Sequence, residues 1–222
     1  MWRDAVLVAR RDLRIELRSR VAISQVGPFA VLVLMLFAFA LDPDRGVLDR
    51  ATAGLYWVAV LFSGLLALGR SAAIDEADGV REGLRMSGLE PGGVFLGKAA
   101  AVAAQLLALE VLLGAGVVVL YDAEPAGPLL LVATCLAATA AVAGAGTLYG
   151  ALVAGLRVRE TMLPLLLLPA LAPVLIGATR AFEAALDGVP ADGWPWCGLL
   201  AAFAVLYSVA GALAYGALLE GQ

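Results

Sequence analysis

The amino-acid sequence predicts an all-α polytopic membrane protein with six transmembrane helices. Of its 222 residues, 62% are hydrophobic and 15% are charged, and the mean hydropathy is +0.93. A soluble domain is closer to about half apolar and about a quarter charged. Apolar segments long enough to cross a hydrocarbon core of about 30 Å recur six times, with short connections between them. Basic residues are concentrated in alternate connections, a pattern typical of multi-pass membrane proteins.

Residues 1–20 are predicted to form an amphipathic helix that lies in the cytoplasmic membrane interface. The segment holds six of the fifteen basic residues, and its apolar and basic side chains occupy different helical faces. The apolar face consists of Trp2, Val6, Ala9, Leu13 and Leu17, and five of the six basic residues occupy the other face: Arg3, Arg10, Arg11, Arg14 and Arg18. A secretory signal is the alternative. The apolar run 21–41, however, is too long for a signal peptide and long enough to span.

A single six-span transmembrane domain is predicted over residues 21–219. The spans are placed at 21–41, 52–74, 95–121, 128–156, 161–180 and 195–219. Twelve Lys and Arg residues fall on the side that carries both termini and residues 70–98, and three fall on the other side. The positive-inside rule therefore predicts a cytoplasmic location for both termini and this loop. The acidic, turn-rich segment 183–197 is then an external connection.

The longest polar interruption runs from Asp75 to Lys98 and contains eight charged residues. Ala77, Val80 and Leu84 are spaced as on one face of a helix, so residues 76–84 are predicted to form a short amphipathic helix. Glycines and a proline follow at 88–93 and end it. Such a loop is either solvated or a docking surface for a cytoplasmic partner.

The sequence offers little catalytic or metal-binding chemistry. It contains no histidine, and Cys135 and Cys197 lack the spacing of metal ligands. Gly92 and Gly97-Lys98 imitate a phosphate-binding loop, but Ala99 replaces the Ser or Thr that would hold Mg²⁺. We therefore interpret this stretch as a turn followed by a lysine that extends toward water at the entrance of a span, and we expect no ATP hydrolysis by this chain alone.

Glu110 is predicted to lie near the middle of the bilayer. It follows Lys98 by twelve residues, which at about 1.5 Å per residue corresponds to about 18 Å. A carboxylate at this depth should face other helices or a wet cavity. The sequence places only Gln105 near it as a polar partner. Two roles stay open: a packing element, either protonated or hydrogen-bonded, or a part in gating or assembly.

Two further features carry candidate roles. Pro164, Pro169 and Pro173 interrupt the fifth span, and they predict either a hinge or broken helix, or a kinked helix without a moving part. Arg157, Arg159 and Glu160 form the second cytoplasmic turn. This turn is either a positive-inside anchor or a second contact for a cytoplasmic partner.

Several short sequence strings together match the pattern of a known protein family. The matching positions are residues 11–18, 54–59 with Phe62, Glu76 and Gly79, 95–98, 157–160 and 163–169. By the order and spacing of these strings, the chain resembles the haem exporter B (CcmB) family, the permease-like subunit of an ABC transporter for c-type cytochrome maturation, in the ABC-2 exporter class. The resemblance covers essentially the whole chain, and it rests on the strings together rather than on any one of them.

The resemblance implies a subunit of a transporter complex in the bacterial cytoplasmic (inner) membrane, which works only together with partner subunits. A CcmA-like cytoplasmic ATPase would carry ATP and Mg²⁺, a CcmC-like membrane subunit would handle haem, and a small CcmD-like membrane subunit would complete the complex. ATP hydrolysis would release a haem-loaded, CcmE-like periplasmic chaperone. No cofactor would be bound directly by this chain, which would contact lipid but no nucleic acid and could form a homodimer. Its coupling residues would be Glu76, Ala77, Gly79, Val80, Glu82, Leu84 and Arg85.

Three alternatives remain. Another ABC-2 permease, exporting a drug, a lipid or a polysaccharide, would share every feature except the family-specific strings. An intramembrane enzyme would need paired polar groups at one depth, where the sequence offers only Glu110. A passive scaffold would lack an ATPase partner.

Overall fold

The part of the chain that the computed structural model describes is all-helical, and it comprises residues 1–19, 25–41, 46–76, 88–154 and 159–220. Seven α-helices occupy these ranges, which confirms the predicted all-α class. They are α1 (Trp2–Ser19), α2 (Gly27–Ala40), α3 (Val47–Glu76), α4 (Pro91–Leu120), α5 (Pro128–Leu152), α6 (Arg159–Leu186) and α7 (Pro190–Glu220).

Prolines and glycines mark where several helices begin. Pro91, Pro128 and Pro190 are the first residues of α4, α5 and α7. Proline fits this position because the first-turn N–H has no intrahelical acceptor and the ring fixes φ at a helical value. Gly46 and Gly188 precede α3 and α7 with φ of +63° and +72°, a left-handed conformation that glycine adopts without steric cost.

Among the described residues, five helices are long and apolar enough to cross a membrane. The qualifying stretches are Val47–Gly69, Pro91–Leu120, Pro128–Leu152, Thr161–Leu186 and Pro190–Leu218. Each has at least 23 residues, which corresponds to about 34 Å or more of helix. They coincide with the second to sixth predicted spans, whose ends differ by several residues.

The first predicted span, 21–41, is matched by a shorter apolar helix. The 14 residues of α2 correspond to about 21 Å, less than a hydrocarbon core of about 30 Å. Residues 21–24 of that prediction lie outside the described part. The count of six spans therefore stays a prediction.

The predicted external connection 183–197 is wrong in extent. Helix α6 continues to Leu186 and α7 begins at Pro190, so only residues 187–189 connect them. The prolines and glycines of this segment suggest helix breaks, but Pro190 starts a helix and Pro195 is accommodated inside it. Trp194 and Trp196 consequently lie in the first turns of α7, where both are exposed.

The interior of the bundle is centred on α5, which packs against α3, α4, α6 and α7. On α4, Leu106 and Leu113 are buried seven residues apart, as one helical face requires. An aromatic cluster joins α3 to α6, because the rings of Tyr56 and Phe182 stack at 4.5 Å and Trp57 meets Tyr56 edge-on at 5.4 Å. Aromatic pairs of this kind contribute about 0.5–1.5 kcal/mol each.

A ring contact and a backbone hydrogen bond define the two ends of the bundle. At one end, the rings of Phe95 at the start of α4 and Tyr215 near the end of α7 lie 5.7 Å apart. Helix α1 packs on the same turns of α4. At the other end, the Gly127 N–H donates to the Ala185 carbonyl at 2.8 Å. Helix α1 and the last turns of α7 therefore share one end, and the α4–α5 and α6–α7 connections share the other.

Candidate functional site

Helix α1 is held against the first turns of α4 by close backbone contact. A Cβ at Gly93 would lie 2.7 Å from the Met1 carbonyl oxygen, and one at Gly97 would lie 2.6 Å from the Ala5 carbonyl oxygen. Real Cβ atoms do not approach backbone oxygen so closely, so both positions require glycine. The backbone of α1 therefore packs directly on α4.

A buried ion pair fixes the same contact. Lys98 is only 4% exposed, and its Nζ lies 3.6 Å from Asp12 Oδ2 on α1. Arg11 contacts the other Asp12 oxygen at 2.9 Å. The prediction that Lys98 extends into water at the entrance of a span is wrong, because α1 covers this turn of α4 and supplies an acidic partner.

The residues just before α4 are also held by α1, since the Glu90 N–H donates to Asp4 Oδ2 at 3.4 Å. This hydrogen bond holds one end of the polar loop between α3 and α4, which contains the predicted coupling residues and is called the coupling loop below. Glu76, the other end, is the last residue of α3. The remaining candidates lie outside the described residues: Ala77, Gly79, Val80, Glu82, Leu84 and Arg85. The coupling role of the loop stays a prediction.

The second candidate contact lies at the start of α6. Arg159 and Glu160 are its first two residues, and Arg157 lies outside the described part. Their docking role also stays a prediction.

Glu110 is the centre of a polar cluster inside the bundle. It is 4% exposed, and Oε1 accepts a hydrogen bond from the Thr139 hydroxyl on α5. Tyr56 on α3 donates to the Glu110 backbone carbonyl at 3.3 Å and lies 3.7 Å from Cys135 Sγ. The cluster therefore links α3, α4 and α5 at one depth.

The hydrogen-bond partner of the Glu110 side chain is Thr139 and not Gln105, the polar residue that lies near it in sequence. Gln105 lines a separate cavity of about 400 Å³, together with Ser63 and Glu16. Sequence reasoning missed Thr139, although a signal was present. Glu110 lies ten residues before the end of α4, and Thr139 lies eleven residues after the start of α5. A short connection between antiparallel helices places such positions at the same depth.

A groove of about 470 Å³ borders this cluster between α4 and α5. Glu110, Tyr56 and Cys135 line it together with many apolar side chains. Val111 and Val132 in its wall are 75% and 54% exposed, so the groove opens on the outer surface of the bundle. It is a mostly apolar depression with one carboxyl group.

The three candidate hinge prolines lie in a continuous helix. Pro164, Pro169 and Pro173 are all inside α6. Beside them, the Tyr207 hydroxyl of α7 donates to the Ala170 carbonyl at 2.9 Å, a polar contact that sequence reasoning missed. The interior positions of α6 remain well packed, with Leu167 and Leu171 fully buried. The hinge role stays a prediction.

The described residues contain no group of three or more His, Cys, Asp or Glu side chains placed to hold a metal ion. The Glu110 cluster has a single carboxylate, and its other members are a hydroxyl, a phenol and a thiol. Its geometry suits helix–helix hydrogen bonding, which in membranes contributes about 0.6 kcal/mol on average.

Five long apolar helices packed around a largely apolar interior define this chain as a multi-pass helical membrane protein. The chain belongs to the CcmB family, whose family model matches residues 3–221.

Several curated relatives named "Heme exporter protein B" are similar to the chain over most of its length. The protein from Haemophilus influenzae is 33% identical over 200 residues, which cover 84% of each chain. The one from Paracoccus denitrificans is 34% identical over 180 residues, covering 80% of this chain and 82% of the relative. The Bradyrhizobium diazoefficiens protein is 31% identical over 213 residues, or 95% of each.

Proposed function

We propose that this chain is the membrane subunit of an ABC transporter complex that handles haem in c-type cytochrome biogenesis. The observation that carries the proposal is the CcmB family match over residues 3–221, together with relatives named for haem export. In the proposed mechanism, a partner subunit hydrolyses ATP, and this chain couples that hydrolysis to release of a haem-loaded periplasmic chaperone. The chain itself is non-catalytic and does not hold haem.

The proposed placement is the bacterial inner membrane, with six spans of ABC-2 type and both termini in the cytoplasm. Twelve basic residues against three support this orientation. The arrangement of the bundle is compatible with it, since α1 and the last turns of α7 lie at one end. The partners are a CcmA-like ATPase, CcmC-like and CcmD-like membrane subunits and a CcmE-like chaperone.

The proposed contact with the ATPase is the loop between α3 and α4. Its amphipathic stretch, residues 76–84, suits insertion of one helical face into a groove of the partner. The loop leads directly into the start of α4, where Asp4 of α1 holds the Glu90 N–H. A push on the loop would therefore move α1 and α4 together.

The role in cytochrome maturation is tested by deleting the gene in its native host and staining membrane proteins for covalent haem. We expect all c-type cytochromes to be lost and to return when the intact chain is supplied. An unchanged haem stain would favour another ABC-2 permease, which exports a different substrate, and would leave the membrane topology standing.

The coupling contact is tested by Val80→Asp with Leu84→Asp, which places two charges on the predicted apolar face. We expect the ATPase subunit to be lost on co-purification while membrane insertion is unchanged. The matched control is Val47→Asp with Val189→Asp, because both valines are about half exposed at the opposite end of the bundle. Equal recovery of the ATPase with both double variants would rule out this contact.

A further inference from the structure

Helix α1 presents three different faces once it is packed on α4. The packed face contains Ala5 and Val8, which are 7% and 3% exposed, and Asp12, the partner of Lys98. Met1 packs on Gly93 and Ala5 packs on Gly97, so the contact advances by four residues along each helix. Two other faces of α1 point away from this contact and are exposed.

One outward face is apolar. Trp2 and Leu17 are 74% and 73% exposed, and Val6 between them is 49% exposed. These residues lie within about 60° of one another around the helix axis at 3.6 residues per turn. Because they lie at both ends of α1 and in its first half, the apolar face extends along the whole helix.

The other outward face is basic. Its four arginines are all exposed, and none forms an ion pair with a described residue. They are Arg3, Arg10, Arg14 and Arg18. Arg11 differs from them, since it is half-buried and paired with Asp12. We call the four residues the arginine stripe. It lies directly beside the apolar face.

We propose that the arginine stripe of α1 binds the phosphate groups of anionic phospholipids, while the adjacent apolar face enters the acyl region of the same leaflet. Guanidinium groups bind phosphate through paired N–H donors, which makes arginine well suited to this contact. The exposed apolar face, with a tryptophan at its end, favours a lipid surface over a soluble partner protein. The proposal rests on the membrane placement given above and not on the haem role.

The contact has a mechanical consequence, because α1 is not an independent anchor. Its backbone packs on Gly93 and Gly97, and its Asp4 holds the residue before α4. Lipid bound to the arginine stripe would therefore restrain the start of α4 and the end of the coupling loop. Anionic lipid thereby becomes a structural component of the coupling region.

The test measures bound lipid on the purified full-length chain by native mass spectrometry, from micelles that contain equal amounts of phosphatidylglycerol and phosphatidylcholine. The wild-type chain is expected to retain phosphatidylglycerol preferentially. The triple variant Arg10→Gln, Arg14→Gln, Arg18→Gln is expected to reduce that preference by about five-fold or more. One arginine near an anionic surface is worth about 1 kcal/mol, which is about five-fold.

Two controls make the result specific. Arg180→Gln removes an exposed arginine at the other end of the bundle, where it pairs with Glu183, and should leave the preference unchanged. Replacing the three α1 arginines by lysine keeps their charge and should preserve most of the preference. An unchanged elution volume and unfolding midpoint for the glutamine variant would show that its fold is intact.

One result would overturn the proposal: a phosphatidylglycerol preference that is the same in the glutamine variant and the wild type. If the variant with this unchanged preference also loses ATPase co-purification, the stripe is a docking surface for protein. Haem staining of the deletion strain is independent of this result.

Discussion

The two halves of helix α4 each bury one ionisable side chain, but they do so in opposite ways. Lys98 and Glu110 are both 4% exposed and lie about 18 Å apart along the helix. Lys98 lies under α1 and faces Asp12 at 3.6 Å. The Glu110 carboxyl group accepts a hydrogen bond from the Thr139 hydroxyl and borders an open groove.

The difference shows how a membrane helix combines a fixed end with a less constrained one. Around Lys98, backbone contact at Gly97 and opposite charge both hold α1 in one position. Around Glu110, hydrogen bonds from neutral groups join the helices, and a methyl group added at the nearby Gly114 would meet no atom within 4 Å. We therefore expect substitutions in the first half of α4 to cost more stability than equivalent ones in the second.

The largest difference is expected for glycine-to-alanine substitutions. Gly97→Ala places a methyl group 2.6 Å from a backbone oxygen and 2.7 Å from Val8 Cβ, so α1 must move. Overpacking usually costs about 1–3 kcal/mol, and a clash with backbone should be near the upper end. The measurement is the unfolding midpoint of the detergent-purified chain in a titration with sodium dodecyl sulfate.

Gly114→Ala is the matched control on the same helix. The added methyl group would meet no atom within 4 Å, and alanine has a higher helix propensity than glycine. The substitution should therefore leave the protein's stability unchanged or raise it by up to about 1 kcal/mol. Similar midpoints for the two variants would contradict a tight α1–α4 contact.

A smaller difference is expected when each charge is replaced by a neutral side chain of similar size. Lys98→Met should cost about 1.5–3 kcal/mol because it removes the buried, charged partner of Asp12. Glu110→Gln should cost less than about 1 kcal/mol, since the amide oxygen can accept the same hydrogen bond from Thr139. Unfolding midpoints compare the two directly.

A double-mutant cycle with Asp12→Asn isolates the ion pair. The stability losses caused by Asp12→Asn and Lys98→Met should be less than additive, whereas strictly additive losses would show that the pair does not couple α1 to α4.

Haem staining adds a second comparison. If Glu110→Gln keeps its stability but loses cytochrome maturation, Glu110 acts in gating or assembly rather than in packing.

Much of the helical framework can be predicted from apolar length alone. The stretches that form α3 through α7 contain enough consecutive apolar residues to identify them, and α1 is identifiable by its two-faced pattern. The α6–α7 connection is predicted too long because local proline and glycine signals do not distinguish a helix start at Pro190 from a loop.

The polar contacts are harder to predict because their partners are distant in sequence. Lys98 and Asp12 are separated by 86 residues, and only the packing of α1 on Gly93 and Gly97 brings them together. Nothing in the sequence of α4 alone indicates that its lysine is covered. Thr139 can be predicted as a neighbour of Glu110, because counting residues from the shared α4–α5 connection places both residues at the same depth.

The smallest expected effect concerns that hydroxyl. Thr139→Val keeps the shape of the side chain but removes the donor to Glu110, and interhelical hydrogen bonds in membranes rarely exceed about 1.7 kcal/mol. We expect a loss of about 1 kcal/mol in the same unfolding titration.

Thr147→Val is the control on the same helix, because the buried hydroxyl of Thr147 has no hydrogen-bond partner among the described residues. Removing an unpaired hydroxyl should be neutral or stabilising. If both valine variants unfold at the same point, the bond to Glu110 contributes no net stability, and the link between α4 and α5 rests on apolar packing alone.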